Sequence, residues 1–344
     1  MGIASHRRLW HLHRRSAALA LIAEPASPRT DVVMRMLFVM DPIGPINIKK
    51  DTTFAFMEAA QRRGHEVFHC EMDGLGAGAA GAWVWATPTQ VQRVVGQHAI
   101  LGPATRRPLS DFDVVFMRKD PPADVEYMHA TRLLELVDPA KTLVVNRPSG
   151  LRAANEKTFI LRFGDVIPDT IVTRRSDDIR AFCREHGGRA VIKPLDLMGG
   201  AGIFVLGLDD PNFNSIVEQS TNYGTTYVMV QRFVPEAKQG DKRVLLIDGE
   251  PLGAILRVPP EGEFRGNMAV GGSATISALD DADRRIIDAV LPTLREHGLW
   301  FVGLDVIGGV LTEVNVTSPT GIQEVAGFDG TDPADRVIAW AEER

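Results

Sequence analysis

Five apolar residues in succession, Met36-Leu37-Phe38-Val39-Met40, constrain this chain more than any other stretch. A run that offers no polar side chain to either face reads as a strand buried on both sides, in a sheet covered by helices. Asp41-Pro42 stops it. Asp51 then stands at an N-cap position, and a helical period through Phe54 and Met57 ends at Gly64. Glu66 to Glu71 reads as a second strand, so the chain opens as a β-α-β unit. Asp113 to Met117 is another apolar strand. A helix from about Val125 to Val137 and a strand at Leu143 to Asn146 complete an open α/β layer. The stretch Gly74 to Gly81, rich in glycine and alanine, reads as a mobile loop.

Beyond residue 150 the alternation continues. Ile167 to Thr173, a helix near Asp177 to His186, the strand Ala190 to Lys193, a helix near Pro211 to Tyr223 and a strand at Tyr227 to Phe233 form a central unit. Asp248-Gly249 between Arg243–Ile247 and Leu252–Val258 is a hairpin turn. A helix at about Asp281 to His297 precedes two strands, Trp300 to Ile307 and Val310 to Val316, which flank Gly308-Gly309. The expected division is a tail over 1–35, a first unit over 36–150, a central unit over 151–235 and a last unit over 236–344. No internal repeat is present.

A chain of 344 residues has room for two or three such units. Its formal net charge of -6 speaks against nonspecific nucleic-acid binding, so any anion-binding residues must be gathered locally. Cys70 and Cys183 stand far apart with no CxxC spacing, which fits reduced thiols and a cytoplasmic setting. No apolar run approaches the ~20 residues of a membrane span. Arg7, Arg8, Arg14, Arg15 and Arg29 surround the apolar run Ala17 to Ala23 in the manner of a targeting segment. That run is at the bottom of the usual ~7–15 residues, and Glu24-Pro25 follows it directly. The reading adopted is an unstructured tail ahead of a start at Met34 or Met36.

Four constellations carry chemistry. Lys193 ends an apolar strand and is followed by Gly199, Gly200 and Gly202. Glycines let backbone N–H groups approach a polyphosphate, and a lysine adds a point charge. A loose turn between strands would give the same string. Second, Glu313 and Asn315 are two apart on a strand and share a face. Asp305 joins that face if the hairpin loop has an odd residue count, such as three. Three oxygen-bearing side chains would then suit Mg²⁺. Third, Arg243 and Arg257 lie on opposite arms of the Asp248-Gly249 hairpin, and Arg265-Gly266-Asn267 follows. Arginine forks bind carboxylates bidentately. Met268 to Gly272 could close over a site. Fourth, Arg118-Lys119-Asp120-Pro121-Pro122 stands at a strand end, where open α/β layers bind ligands. His65 and His69 lie on a strand and do not form one site, and Cys183 reads as core.

Taken together, these strings resemble the prokaryotic glutathione synthetase family of ATP-grasp ligases. The matching segments are Met40 to Ile43 with Asn47 to Asp51, Met117 to Pro122, Asn155-Glu156-Lys157, Ile192 to Asp196 with Met198 to Ala201, Gly240 to Arg243, Arg265 to Asn267, and Phe301 to Asp305 through Thr312 to Pro319. They run in the family's order over roughly 36–325. The resemblance implies an α/β preATP-grasp layer followed by a two-lobed ATP-grasp fold of α+β type. It implies that Lys157 and Lys193 contact ATP phosphates under a flap formed by Gly199, Gly200 and Gly202. It implies that Gln231, Arg232, Phe233 and Val234 line the adenine pocket and that Asp241 approaches the ribose. Asp305, Glu313 and Asn315 would hold Mg²⁺, with Mn²⁺ as the alternative. Arg243, Arg257, Asn267, Ser318 and Thr320 would hold γ-glutamylcysteine and its acyl phosphate, with Lys193, Arg243 and Arg257 as the catalytic set. The implied substrates are γ-glutamylcysteine, glycine and ATP, in a homo-oligomer without nucleic-acid or membrane partners. A glutamate or D-alanine ligase, or a non-catalytic nucleotide-binding module, are the competing readings. The tail, the glycine-rich stretch at 74–81, and Gly321 after Thr320 depart from the family pattern.

Overall fold

The computed structural model describes residues 32–262, 266 and 271–344. Most of the expected tail lies outside the described residues, and so do Arg265, Asn267 and Met268 to Val270 of the expected closing loop.

The first sheet holds eight strands: β1 (Arg35–Val39), β2 (Glu66–Cys70), β3 (Leu75–Gly78), β4 (Gly81–Val91), β5 (Ala99–Leu101), β6 (Thr105–Pro108), β7 (Val114–Met117) and β8 (Leu143–Val145). The strand β1 sits between β2 and β7 and runs parallel to both. Met36 to Val39 are completely buried, as a central parallel strand requires. Helix α1 (Thr52–Arg62) begins where Asp51 Oδ1 accepts the Phe54 N–H at 2.6 Å, and α2 (Val125–Leu134) is capped in the same way by Asp124. A short helix, α3 (Pro148–Ala153), leads out of this layer.

The second sheet is antiparallel. It contains β9 (Thr170–Thr173), β10 (Arg189–Pro194), β11 (Phe204–Gly207) and β12 (Val228–Arg232), in the order β11-β10-β12-β9. Helices α4 (Ser176–Glu185) and α5 (Phe213–Ser220) pack on it, and Cys183 is buried in that core. The third sheet contains β13 (Asp241–Ile247), β14 (Glu250–Val258), β15 (Ser273–Ile276), β16 (Phe301–Ile307) and β17 (Val310–Asn315), in the order β15-β14-β13-β16-β17. Helix α6 (Asp281–His297) starts from a reciprocal capping box between Asp280 and Asp283. Two further helices, α7 (Ile322–Asp329) and α8 (Pro333–Glu342), close the chain.

The first and third sheets are stitched together by one side chain. Asn146 Nδ2 donates to Phe301 O and Val316 O, both at 2.8 Å. Its Oδ1 accepts from Trp300 N at 2.7 Å and Phe301 N at 2.8 Å. Arg63 and His65 reach Glu342 and tie α8 to the first layer.

Two expectations need correction. Gly74 to Gly81 is not a loop: Leu75 to Gly78 form β3, which pairs with the first residues of β4. Gly76 is glycine because the Trp83 ring lies over it; a Cβ there would come within 2.6 Å of the indole. Leu-Gly-Ala-Gly has no alternation to read, and a ring on the neighbouring strand supplies the missing apolar cover. Arg35, which the expected division gave to the tail, opens β1. Strands β4 to β6, β11 and β15 and helices α3, α7 and α8 were not foreseen.

Candidate active site

A cavity of about 400 Å³ opens where the three sheets meet. The second sheet contributes Lys193 from the end of β10 and Gln231 and Arg232 from β12, with Phe233 and Val234 just beyond. The third contributes Asp241 and Arg243 from β13, Arg257 from β14, Asp305 from β16, and Glu313 and Asn315 from β17. Ser318 and Thr320 line it from the segment after β17. Of the residues expected to form a site, all the described ones except Gly202 reach this wall.

The strand pair β16–β17 decides how the oxygen donors meet. The turn at Gly308-Gly309 has two residues, since Ile307 pairs with Val310 and Val306 with Leu311. Continued without interruption, that register would set Asp305 opposite Thr312 and turn it away from the Glu313 face. A bulge at Thr312 inserts one residue, so that Asp305 pairs with Glu313 and Gly303 with Asn315. The odd count needed to bring Asp305 onto the Glu313 face comes from the bulge, not from a three-residue loop. Thr312 Oγ1 holds the bulge by donating to Asp305 O at 3.1 Å.

The two arginines are committed. Arg243 grips Asp305 with Nε on Oδ1 and Nη2 on Oδ2, both 2.8 Å. Arg257 Nη2 lies 2.8 Å from Asp305 Oδ2, and its Nε donates to Asp241. Asp305 and Arg257 are each only 4% exposed, so this is a buried network and not a solvated surface. Burial alone would raise the Asp305 carboxyl, but Arg243 and Arg257 outweigh it and hold the carboxyl well below its usual range. Burial raises the Asp241 carboxyl despite Arg257, and the nearby Asp305 charge adds to that.

The lysines face the acids. Lys157 Nζ donates to Leu197 O at 2.6 Å and lies 3.2 Å from Glu313 Oε1. Lys193 Nζ donates to Gln231 Oε1 at 2.5 Å. Burial, with Lys157 nearby, pushes the Lys193 ammonium below its usual value although Glu313 opposes this. Such a lysine gains from a new anion in the cavity. Gly199 and Gly200 line the cavity in left-handed conformations, at φ 64° and 82°. Gly202 packs instead on Pro194, where a Cβ would come within 2.7 Å of Cγ; it folds the loop back and does not touch the cavity.

The donor set of Asp305, Glu313 and Asn315 fits a hard cation. All three present oxygen from adjacent strands, and the Asn315 Nδ2 is engaged by Gly303 O at 3.2 Å, which leaves the amide oxygen as the coordinating end. A carboxylate has about four lone-pair sites, so Asp305 keeps acceptor capacity beside its arginines. Among the described residues no cluster of three or more His, Cys, Asp or Glu could hold a metal.

Several wall residues had no individual role assigned from the sequence. Asn47, Lys50, Asp51, Asp120 and Pro121 reach the cavity from loops after β1 and β7. Asp120 and Pro121 belong to the string read as a strand-end ligand site, whereas Asn47 to Asp51 was read only as a family match with an N-cap at Asp51. Arg118 itself turns inward, donating to Thr53 Oγ1 at 3.2 Å and Pro319 O at 3.0 Å between the Phe56 and Phe301 rings. It holds the segment that carries Ser318 and Thr320. Glu156 is a second positioning residue: its Oε1 accepts from Val316 N, Thr317 N and Thr317 Oγ1 at 2.8, 3.0 and 2.8 Å. Glu324 also lines the wall.

Comparison with known sequences decides the family. Residues 34–152 match the model of the prokaryotic glutathione synthetase N-terminal domain, and residues 156–330 match that of the prokaryotic glutathione synthetase ATP-grasp domain. The chain belongs to the prokaryotic glutathione synthetase family. It is 49% identical over 318 residues to the glutathione synthetase of Synechococcus elongatus, covering 90% of this chain and 98% of that protein. It is 48% identical over 299 residues to that of Shewanella oneidensis, covering 86% and 95%. The fold is similar to D-cycloserine synthetase, with a TM-score of 0.64 at 16% identity over 90% of this chain and 99% of that one. It is also similar to a RimK domain protein from Sphaerobacter thermophilus, with a TM-score of 0.58 at 18% identity over 90% and 98%. This member of the prokaryotic glutathione synthetase family is an ATP-dependent ligase with an ATP-grasp fold. Among the described residues, no helix is long and apolar enough to cross a membrane.

Proposed function

We propose that this chain joins γ-glutamylcysteine to glycine, converting ATP to ADP and phosphate. One observation carries the reading: Lys157 and Lys193 line the same cavity as Glu313 and Asn315, with Lys157 Nζ 3.2 Å from Glu313 Oε1. That is where a nucleotide polyphosphate and its cation fit together.

A carboxylate does not react with an amine at neutral pH, because oxide is a poor leaving group. Transfer of the γ-phosphoryl group to the cysteinyl carboxylate makes an acyl phosphate. The glycine nitrogen attacks its carbonyl carbon, the C–O bond to phosphate breaks, and the amine loses its proton. Lys157 and Lys193 bind and orient the phosphates by charge. Gly199 offers a backbone N–H group and, with Gly200, Leu197 and Met198, covers the site against water, which would hydrolyse the acyl phosphate. Gln231, Arg232, Phe233 and Val234 frame the adenine, Asp241 approaches the ribose, and Ser318 and Thr320 hold the peptide substrate. Asn267, outside the described residues, belongs with them. Arg243 fixes Asp305 in place, and Arg257 is the favoured stabiliser of the developing oxyanion. Mg²⁺, with Mn²⁺ as the alternative, would be held by Asp305, Glu313 and Asn315 and would neutralise charge on the phosphoryl oxygens. The enzyme is proposed to work in the cytoplasm as a homo-oligomer, on small molecules only.

The test is incubation of the pure chain with Mg-ATP, γ-glutamylcysteine and glycine, with glutathione read by mass. Lys193→Ala and Glu313→Gln should each abolish product while the protein stays folded. Phosphate release with glutamate or D-alanine, but not with γ-glutamylcysteine, would refute the reading.

A further inference from the structure

The acids on the cavity wall are engaged by donors or open to solvent, with one exception. Asp51 caps α1, and Glu156 holds Val316 and Thr317. Asp241 and Asp305 accept from the two arginines, Glu313 meets Lys157, and Asp120 is exposed to solvent. Glu324 differs. Its Oε2 is shielded from water and has no hydrogen-bond partner among the described residues. An unpaired buried carboxylate oxygen is costly, so its place on a ligand cavity calls for a ligand donor.

The surroundings define the donor. Glu324 lies in the first turn of α7, and that turn is fixed to the loop after β1. Gln323 Nε2 donates to Ile48 O at 3.1 Å and to Asp51 O. The same loop brings Asn47 and Lys50 to the cavity wall. Lys50 and Arg243 are the cations whose fields reach the Glu324 carboxyl, which burial otherwise pushes up. One end of the cavity therefore presents an anion, a cation and an amide from two segments locked together. That set is complementary to a zwitterionic α-amino-acid head, an ammonium beside a carboxylate.

We propose that Glu324 receives the α-ammonium group of the γ-glutamyl end of the acid substrate, with Lys50 receiving its α-carboxylate; this rests on the γ-glutamylcysteine reading above. Glycine also carries an ammonium, but its nitrogen must be a free amine to attack. A carboxylate partner would hold it protonated. The unreacting head of the other substrate is the group Glu324 suits, and the residue acts on specificity.

Steady-state kinetics of the full chain test this, with γ-glutamylcysteine compared with glutarylcysteine, which lacks only the α-ammonium. The parent protein should show a KM for glutarylcysteine about 10- to 100-fold higher, the loss expected for one charge-assisted hydrogen bond. Glu324→Gln should raise the KM for γ-glutamylcysteine by a similar factor, leave the KM for glycine and ATP unchanged, and use both acids alike. Glu324→Asp, one methylene shorter, should fall between them and provides the comparison if the glutamine variant does not fold. A parent that uses both acids equally overturns the proposal. So does a Glu324→Gln variant whose kcat falls with KM unchanged, which would make Glu324 a proton acceptor for glycine. A parent that forms no glutathione at all overturns the underlying reading instead.

Discussion

Replacing Asp305 by asparagine removes the anion at the centre of the arginine network and keeps its shape. In the parent, Asp305 Oδ1 faces Arg243 Nε and Oδ2 faces both Arg243 Nη2 and Arg257 Nη2, each at 2.8 Å. All three residues are buried, at 4% exposure for Asp305, 7% for Arg243 and 4% for Arg257. Asparagine would leave Arg243 without a counter-charge and point an amide N–H at a guanidinium, while Arg257 would keep only Asp241. Breaking a buried pair on one side costs about 3–5 kcal/mol. That is a large share of the ~5–15 kcal/mol that separates folded from unfolded states. Removing Arg243 as well, with Arg243→Met, should restore part of this, with a coupling of about 0.5–3 kcal/mol. The assay is urea unfolding followed by circular dichroism, read as a shift of midpoint at constant slope. The effect should depend on pH. A carboxyl held below its unfolded value of 3.8 stabilises the fold above that pH and loses the contribution as pH falls toward its folded value. The parent's advantage over Asp305→Asn should thus be full at pH 7 and shrink below about pH 4. A single variant within about 1 kcal/mol of the parent at pH 7 would refute the reasoning, since buried guanidinium groups cannot lose their partner so cheaply.

Glu156→Ala leaves the Val316 and Thr317 N–H groups without an acceptor and should cost about 2–6 kcal/mol by the same unfolding assay, from about 1–3 per buried group. Glu156→Gln keeps the acceptor. Burial, with Glu313 nearby, raises the Glu156 carboxyl above its usual 4.5, so stability present at low pH is lost as pH rises through the folded value. The glutamine variant should match the parent near pH 4 and exceed it at pH 8; equal stability at both would remove the argument. Gly150→Ala would put a Cβ 2.1 Å from His297 O and should destabilise by about 1–3 kcal/mol, measured as a lowered thermal midpoint. An unchanged midpoint would mean that α3 and the end of α6 can part at no cost.

The local chemistry of the chain was legible in its residues. The buried strand at 36–40, the Asp51 cap, the Asp248-Gly249 hairpin, and the shared face of Glu313 and Asn315 all follow from periods of two and 3.6 residues and from side-chain chemistry over a few positions. Lys193 beside Gly199 and Gly200 was likewise found by adjacency alone. What adjacency could not supply was register and partnership. Asp305 reaches the Glu313 face through one bulged residue, and nothing within the hairpin's own letters marks Thr312 as that residue. Arg243 and Arg257 read as free forks, yet they are held by acids that lie 62 positions from the first and 16 from the second. The glycine strand at 75–78 exists because Trp83 covers it, and Glu324 faces the cavity because Gln323 docks on a loop more than 270 residues earlier. Backbone periodicity is a property of neighbours in the chain; pairing, burial and charge compensation are properties of neighbours in space, and only the folded sheets bring those together.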